Sequence, residues 1–411
     1  MIRTKKLFLL ITASVFLFIH YSNQKAASQE PEEANYDESS VPDYKLPELL
    51  ETSESVSITT INEWVHLRKP EIISLFTEHV YGKIPTHFDA IAFNTVTNNE
   101  NAPNIAASLK QVEIVITKDK KSLTIEFDIF IPNNVKQPVP ITVLINHRGP
   151  EYVDVTRQTK KGYWPAEMIL ARGYAAAVFN VNNVANDDPD SFSEDLIETL
   201  YPEQLEMNDG MRALSAWAWG AMRVMDYIET DSALDEDRAI LVGHSRSGKA
   251  ALWAGANDER WDITVANESG AGGAALSKRR FGETVEIINN GFPYWFTPNF
   301  EKYNRNEAEL PLDQHMLIAC MAPRGVYITA AEEDKWADPK GMYLALYHAS
   351  RVYEHIYGIT TLLDKRMPFV NNPTDNRYAA FHIRSGEHDL KRYDWIQFLN
   401  FADRHFHLTA E

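Results

Sequence analysis

Within Glu113 to Ile131, two runs with polar–apolar alternation flank a polar turn at Lys118–Ser122. In the second run Thr124, Glu126 and Asp128 fall on one face, and Ile125, Phe127 and Ile129 on the other. A period of two over that length predicts a half-buried antiparallel hairpin. Beyond it the pattern changes. Ile141–Asn146, Ala175–Val181, Ala239–Gly243, Ile263–Asn267 and Val326–Ala330 are short, mainly apolar runs. Helical patterns, such as Met211–Glu229 and Lys249–Ala256, separate most of them. Apolar strands alternating with helices predict a parallel sheet covered on both faces. The expectation is an α/β fold with an antiparallel N-terminal part, helices on both faces, and one domain over residues 50–411.

The start of the chain reads differently. Arg3, Lys5 and Lys6 precede an apolar run from Leu7 to Ile19, followed by the small residues Ala26, Ala27 and Ser28. That order predicts an export signal over residues 1–29, and the run is short for a membrane span. The protein is therefore expected to be periplasmic or secreted, with no stable membrane insertion after cleavage. Residues 30–49 are acidic and interrupted by prolines, and read as a mobile leader outside the core. Cys320 is the one cysteine among 411 residues, so an internal disulfide is excluded. The net charge of −18 argues against nucleic acid as a partner, and an acidic ligand would need a locally basic pocket. A monomer is expected.

The sharpest local signal is the run Ala239-Ile-Leu-Val-Gly243-His-Ser245-Arg-Ser-Gly248-Lys249. A buried strand, a serine between small residues and a helix make a nucleophile elbow, whose strained turn exposes the hydroxyl. Ser247 stands where a second glycine is usual, with Gly248 one step on. The backbone N–H of Arg246 would be an oxyanion donor. A P-loop would need Ser or Thr after the lysine, and Ala250 stands there. In the α/β-hydrolase order the acid and then the histidine follow the serine. Of the later histidines, His388 lies in a short polar loop beyond the last strand-like run, Tyr378–Arg384, where a general base belongs. Two acids compete. Glu268 follows the strand after the nucleophile helix, and Asp334 follows the strand Val326–Ala330; either could orient the imidazole.

These residues resemble the glucuronoyl esterases, carbohydrate esterase family 15, in their bacterial branch. The likeness runs from Gly243-His-Ser-Arg-Ser-Gly-Lys through Asn267-Glu-Ser-Gly and Arg280-Phe-Gly-Glu283. It continues through Phe292-Pro-Tyr-Trp-Phe296, Leu312-Asp-Gln-His315, Glu333-Asp-Lys-Trp336 and Arg384-Ser-Gly-Glu-His388. His244 departs from the fungal members, which carry a disulfide-forming cysteine there. The resemblance implies hydrolysis of esters joining 4-O-methyl-glucuronic acid on xylan to lignin alcohols. By position it makes Ser245 the nucleophile, His388 the base and Glu268 the acid, with Asp334 as second candidate. Arg246 would hold the oxyanion, and Lys249, Glu283 and Trp336 the sugar. It implies no cofactor, and no HExxH or paired-ligand spacing argues for a metal. An acetyl xylan esterase, or a non-catalytic glycan-binding relative, is the alternative reading.

Overall fold

The computed structural model describes residues 32–408 apart from 134, 137 and 375, so the expected export signal lies outside the described residues. Nine strands form one sheet: β1 (Ala90–Asn99), β2 (Ala107–Lys118), β3 (Lys121–Pro132), β4 (Val139–Asn146), β5 (Ala175–Asn180), β6 (Leu234–His244), β7 (Ile263–Asn267), β8 (Gly325–Ala331) and β9 (Ala379–Arg384). Their spatial order is β1-β2-β3-β5-β4-β6-β7-β8-β9. The pairs β1–β2, β2–β3 and β3–β5 are antiparallel, and every other neighbour is parallel.

The alternating hairpin is β2–β3, in register Ile114↔Ile125 and Val112↔Phe127. Leu123, Ile125 and Phe127 are buried while Thr124 and Glu126 face outward, as a period of two demands. Strands β4, β7, β8 and β9 are buried at every position, because helices cover both sides of the sheet. The helix Ala213–Ile228 packs an almost wholly buried face, including Trp217 and Trp219, against one side. The helix Arg392–His405 packs Trp395, Phe398 and Phe401 against the other. Each such side chain contributes about 1.5–3 kcal/mol on burial. Strand β1, unremarked in the sequence, has mostly exposed or part-buried positions. An edge strand with one partner needs no continuous apolar run.

The acidic stretch before residue 50 corrects an expectation. It does not stand outside the core, and residues from Glu33 onward belong with the domain. Asn35 bridges Gly282, Arg279 donates to Glu38 at 2.6 Å, and Lys340 pairs with the same carboxylate. Leu49 is buried, and Arg68 Nη2 donates to the Glu48 carbonyl at 2.6 Å. Ion pairs and backbone bonds hold this segment, and hydrophobic periodicity does not report them. No helix among the described residues is long and apolar enough to cross a membrane.

Candidate active site

Parallel strands deliver their C-terminal ends to one edge of the sheet, and the candidate residues collect there. Strand β6 ends at His244, Ser245 adopts φ 55° and ψ −123°, and the helix Arg246–Asn257 starts at once. A side chain at positive φ is strained, and strain of this kind concentrates at functional sites. The turn is tight. A Cβ added to Gly243 would lie 2.1 Å from the Ser247 carbonyl oxygen, and one on Gly248 2.9 Å from Ser269 Cβ. Those two positions need glycine. Ser247 does not, because its hydroxyl has room to bond His147 Nδ1 at 2.7 Å. The unusual serine of the motif is thereby explained.

Glu268 leaves β7 at φ 49°, its N–H bonded to the Thr329 carbonyl, and Asp334 follows β8. Both carboxylates reach the same imidazole nitrogen. His388 Nδ1 lies 2.6 Å from Asp334 Oδ2 and 3.2 Å from Glu268 Oε2. Glu268 is also committed elsewhere: Arg384 Nη2 donates to Oε1 at 2.7 Å, and the Asp389 N–H to Oε2 at 2.8 Å. Burial pushes the Glu268 carboxyl up, against the lowering effect of His388 and Arg384. Burial alone would lower His388, but Asp334 and then Glu268 outweigh it and raise the ring to about 9.

A pocket of about 330 Å³ opens over these groups. Ser245, Arg246, Lys249, Glu268, Glu283, Asp334, Trp336 and His388 all line it, so the structure brings together every residue singled out in the sequence. Lys249 is buried and donates to the Ser269 carbonyl at 2.6 Å. Burial lowers its ammonium to about 8, with Glu283 opposing. Burial in turn raises Glu283, with Lys249 opposing. Trp336 stands at the rim, 44% exposed.

The remaining wall was not picked out as functional from sequence. Phe292 and Trp295 stack face to face, 3.7 Å between centroids, and the Arg246 guanidinium lies 4.6 Å over Trp295. Asp187 holds that guanidinium at 2.5 Å and accepts from Tyr294 Oη at 2.8 Å and Trp295 Nε1 at 2.9 Å. The Phe292–Phe296 motif carried a signal for the aromatic pair. Asp187, in the polar run Asn186-Asp-Asp-Pro, carried none.

His244, Glu268 and His388 each bring a possible ligand atom within 4.8 Å of the others. Arg148 and Arg384 bond His244 and Glu268 directly and set two fixed positive charges beside that cluster, which suits a metal ion poorly.

A serine on an elbow, a histidine between two carboxylates and a pocket above them define the class: a serine hydrolase site on an α/β-hydrolase fold. A sequence profile described as glucuronyl esterase, fungi, matches residues 114–357. A carbohydrate esterase from an unknown prokaryotic organism is 36% identical, over 93% of this chain and 94% of that one. The 4-O-methyl-glucuronoyl methylesterase of Schizophyllum commune is 26% identical over 75% of this chain and 73% of its own. The solved glucuronoyl esterase of Solibacter usitatus superposes with a TM-score of 0.83 at 34% identity, covering 90% of this chain and all of that one. The chain belongs to the glucuronoyl esterases, carbohydrate esterase family 15, and is an ester hydrolase.

Proposed function

We propose that the protein hydrolyses esters of 4-O-methyl-glucuronic acid, the side-chain sugar of xylan, with lignin alcohols, through an acyl-enzyme on Ser245. The observation that carries this reading is the pocket itself, where an elbow serine and a doubly braced histidine face a sugar-sized wall of Lys249, Glu283 and Trp336. Ser245 Oγ attacks the ester carbonyl while His388 takes its proton. The Arg246 backbone N–H, at the helix start, donates to the oxyanion. His388 returns the proton to the leaving alcohol, then activates a water that frees the uronic acid. Asp334 and Glu268 stabilise the imidazolium formed in both halves.

Lys249 and Glu283 suit sugar hydroxyls, and the exposed indole of Trp336 suits a pyranose face. Lys249 and Arg246 place cationic donors among the carboxylates of the pocket, where they can meet the oxygens of a uronate ester. The amino-terminal signal motif fits an exported enzyme acting on polymeric substrate, and sequencing the mature N-terminus checks that reading.

Two variants test the assignment. Ser245→Ala should retain the fold and lose hydrolysis of a benzyl glucuronate ester by several orders of magnitude. More than about a tenth of native kcat in that variant contradicts the nucleophile. Lys249→Ala should raise KM for the glucuronate ester and leave nitrophenyl acetate turnover nearly unchanged. Equal losses on both substrates would make Lys249 structural.

A further inference from the structure

His388 rests on a second histidine that the chemistry above leaves unused. His244, the last residue of β6, is wholly buried, and its ring centroid lies 4.7 Å from that of His388, the planes 37° apart. His147 stacks on it at 5.9 Å and 19°, and Tyr163 meets it edge-on at 6.0 Å. Three imidazoles therefore lie in a row beside the pocket, with the buried His244 between His388 and the part-buried His147.

Arg148 ties the row down. Its Nη2 lies 3.0 Å from His244 Nε2. A guanidinium only donates, so Nε2 must accept, and the His244 proton sits on Nδ1 of a neutral ring. The other arm of the same guanidinium, Nη1, donates to Asp389 Oδ1 at 2.7 Å, on the residue beside His388. Arg148 also lies 4.4 Å over the Tyr163 ring, which limits where its fork can point. The His244 Nδ1 is buried without a partner. An aromatic hydrocarbon would avoid that penalty, so the ring is explained by what its Nε2 accepts rather than by packing alone.

We propose that His244 is a positioning residue for the catalytic base: a neutral plate under the His388 ring, held by an Arg148 clamp that also grips the His388 loop. The clamp keeps His388 Nδ1 on its two carboxylates and leaves Nε2 for the serine and the leaving alcohol. Neutrality matters because His388 becomes cationic during turnover, and a charged ring stacked on it would oppose that step. Burial, and then the facing His388, His147, Arg148 and Arg384, hold His244 well below the usual histidine range. The charges around His388 are those of Glu268 and Asp334 beyond the neighbouring strands, of Arg384 at the end of β9, and of the Arg148–Asp389 pair beside its loop.

The proposal rests on His388 being the base, and the experiment separates the two. His244→Ala, His244→Phe, Arg148→Gln and His388→Gln are compared by thermal melting, by kcat and KM on a methyl glucuronate ester, and by the pH profile of kcat/KM. His244→Ala should lower kcat by about 10- to 100-fold with KM within about twofold, since misplacement of a reacting group costs that much. Water entering beside His388 should also move the rise of kcat/KM to higher pH. His244→Phe, which keeps the plate but offers Arg148 no acceptor, should restore the native pH midpoint and kcat to the level of Arg148→Gln. Arg148→Gln should lower kcat without raising KM. Native kcat and pH midpoint in His244→Ala overturn the proposal. So does a His244→Phe variant as impaired as His244→Ala. If His244→Ala does not fold, native kcat and pH profile in Arg148→Gln overturn it. Activity surviving His388→Gln overturns the base assignment instead.

Discussion

His388 shares one nitrogen between two carboxylates that are not equivalent. Asp334 is nearer, at 2.6 Å, and Glu268 lies at 3.2 Å while also neutralising Arg384, whose side chain is only 3% exposed. Asp334→Ala should therefore act mainly on kcat, lowering it about tenfold while the melting temperature holds, because Glu268 still braces the ring. Glu268→Ala should lower kcat and also destabilise the fold by about 3 kcal/mol, since a buried guanidinium loses a partner. The double variant should lose more activity than the product of the two single losses. Multiplicative losses would mean the acids act separately. The same pairing sets the pH dependence. With His388 as the proposed base and its ring raised to about 9 by Asp334 and Glu268, kcat/KM should climb with pH from 7 toward 9. Lys249, lowered to about 8, loses its charge over part of that range, so KM should rise above pH 8. A profile already flat below pH 7 would contradict the raised base.

At the scale of elements, the elbow leaves no room for a side chain at its first glycine. Gly243→Ala puts a methyl group against the Ser247 carbonyl, backbone that cannot rotate aside. The variant should be destabilised by about 3 kcal/mol or more, or accumulate insoluble, as overpacking in a rigid site predicts. A soluble Gly243→Ala enzyme with native melting temperature and activity would show that the turn yields. Ser247→Gly should be tolerated far better, losing only the bond to His147. The sequence alone raised Ser247 as a departure from the usual motif. The contact distances locate the need for glycine at 243 and 248 instead.

Over the whole molecule, the segment before residue 50 is a strap. Glu38 pairs with Arg279, which also pairs with Asp338 at 2.8 Å, and Gly282 hydrogen-bonds to the Asn35 carbonyl one residue before Glu283 of the pocket. Deleting residues 30–46 should lower the melting temperature by a few degrees, the effect of about 1–2 kcal/mol in a domain of this size. It should also raise KM for the glucuronate ester, because Glu283 bonds Trp336 through its backbone N–H at 2.9 Å. A truncated enzyme with native KM and melting temperature would make the strap dispensable.

Much was legible without coordinates. Periodicity separated the alternating hairpin from the buried parallel strands, since exposure on one face or none leaves different patterns. Motif order placed Ser245, His388 and both acids, because each sits just beyond a strand and strand ends carry the chemistry of this fold. Strand β1 was invisible because an edge strand needs no apolar run, and the strap because its ties are ionic. What only tertiary structure decided is convergence. That Glu268 and Asp334 meet on one nitrogen, that Asp187 holds Arg246 against Trp295, and that Arg148 joins His244 to Asp389 depend on contacts between residues as many as 241 positions apart. Local sequence encodes which strand end a residue occupies. The register and twist of the assembled sheet determine which of those ends face each other.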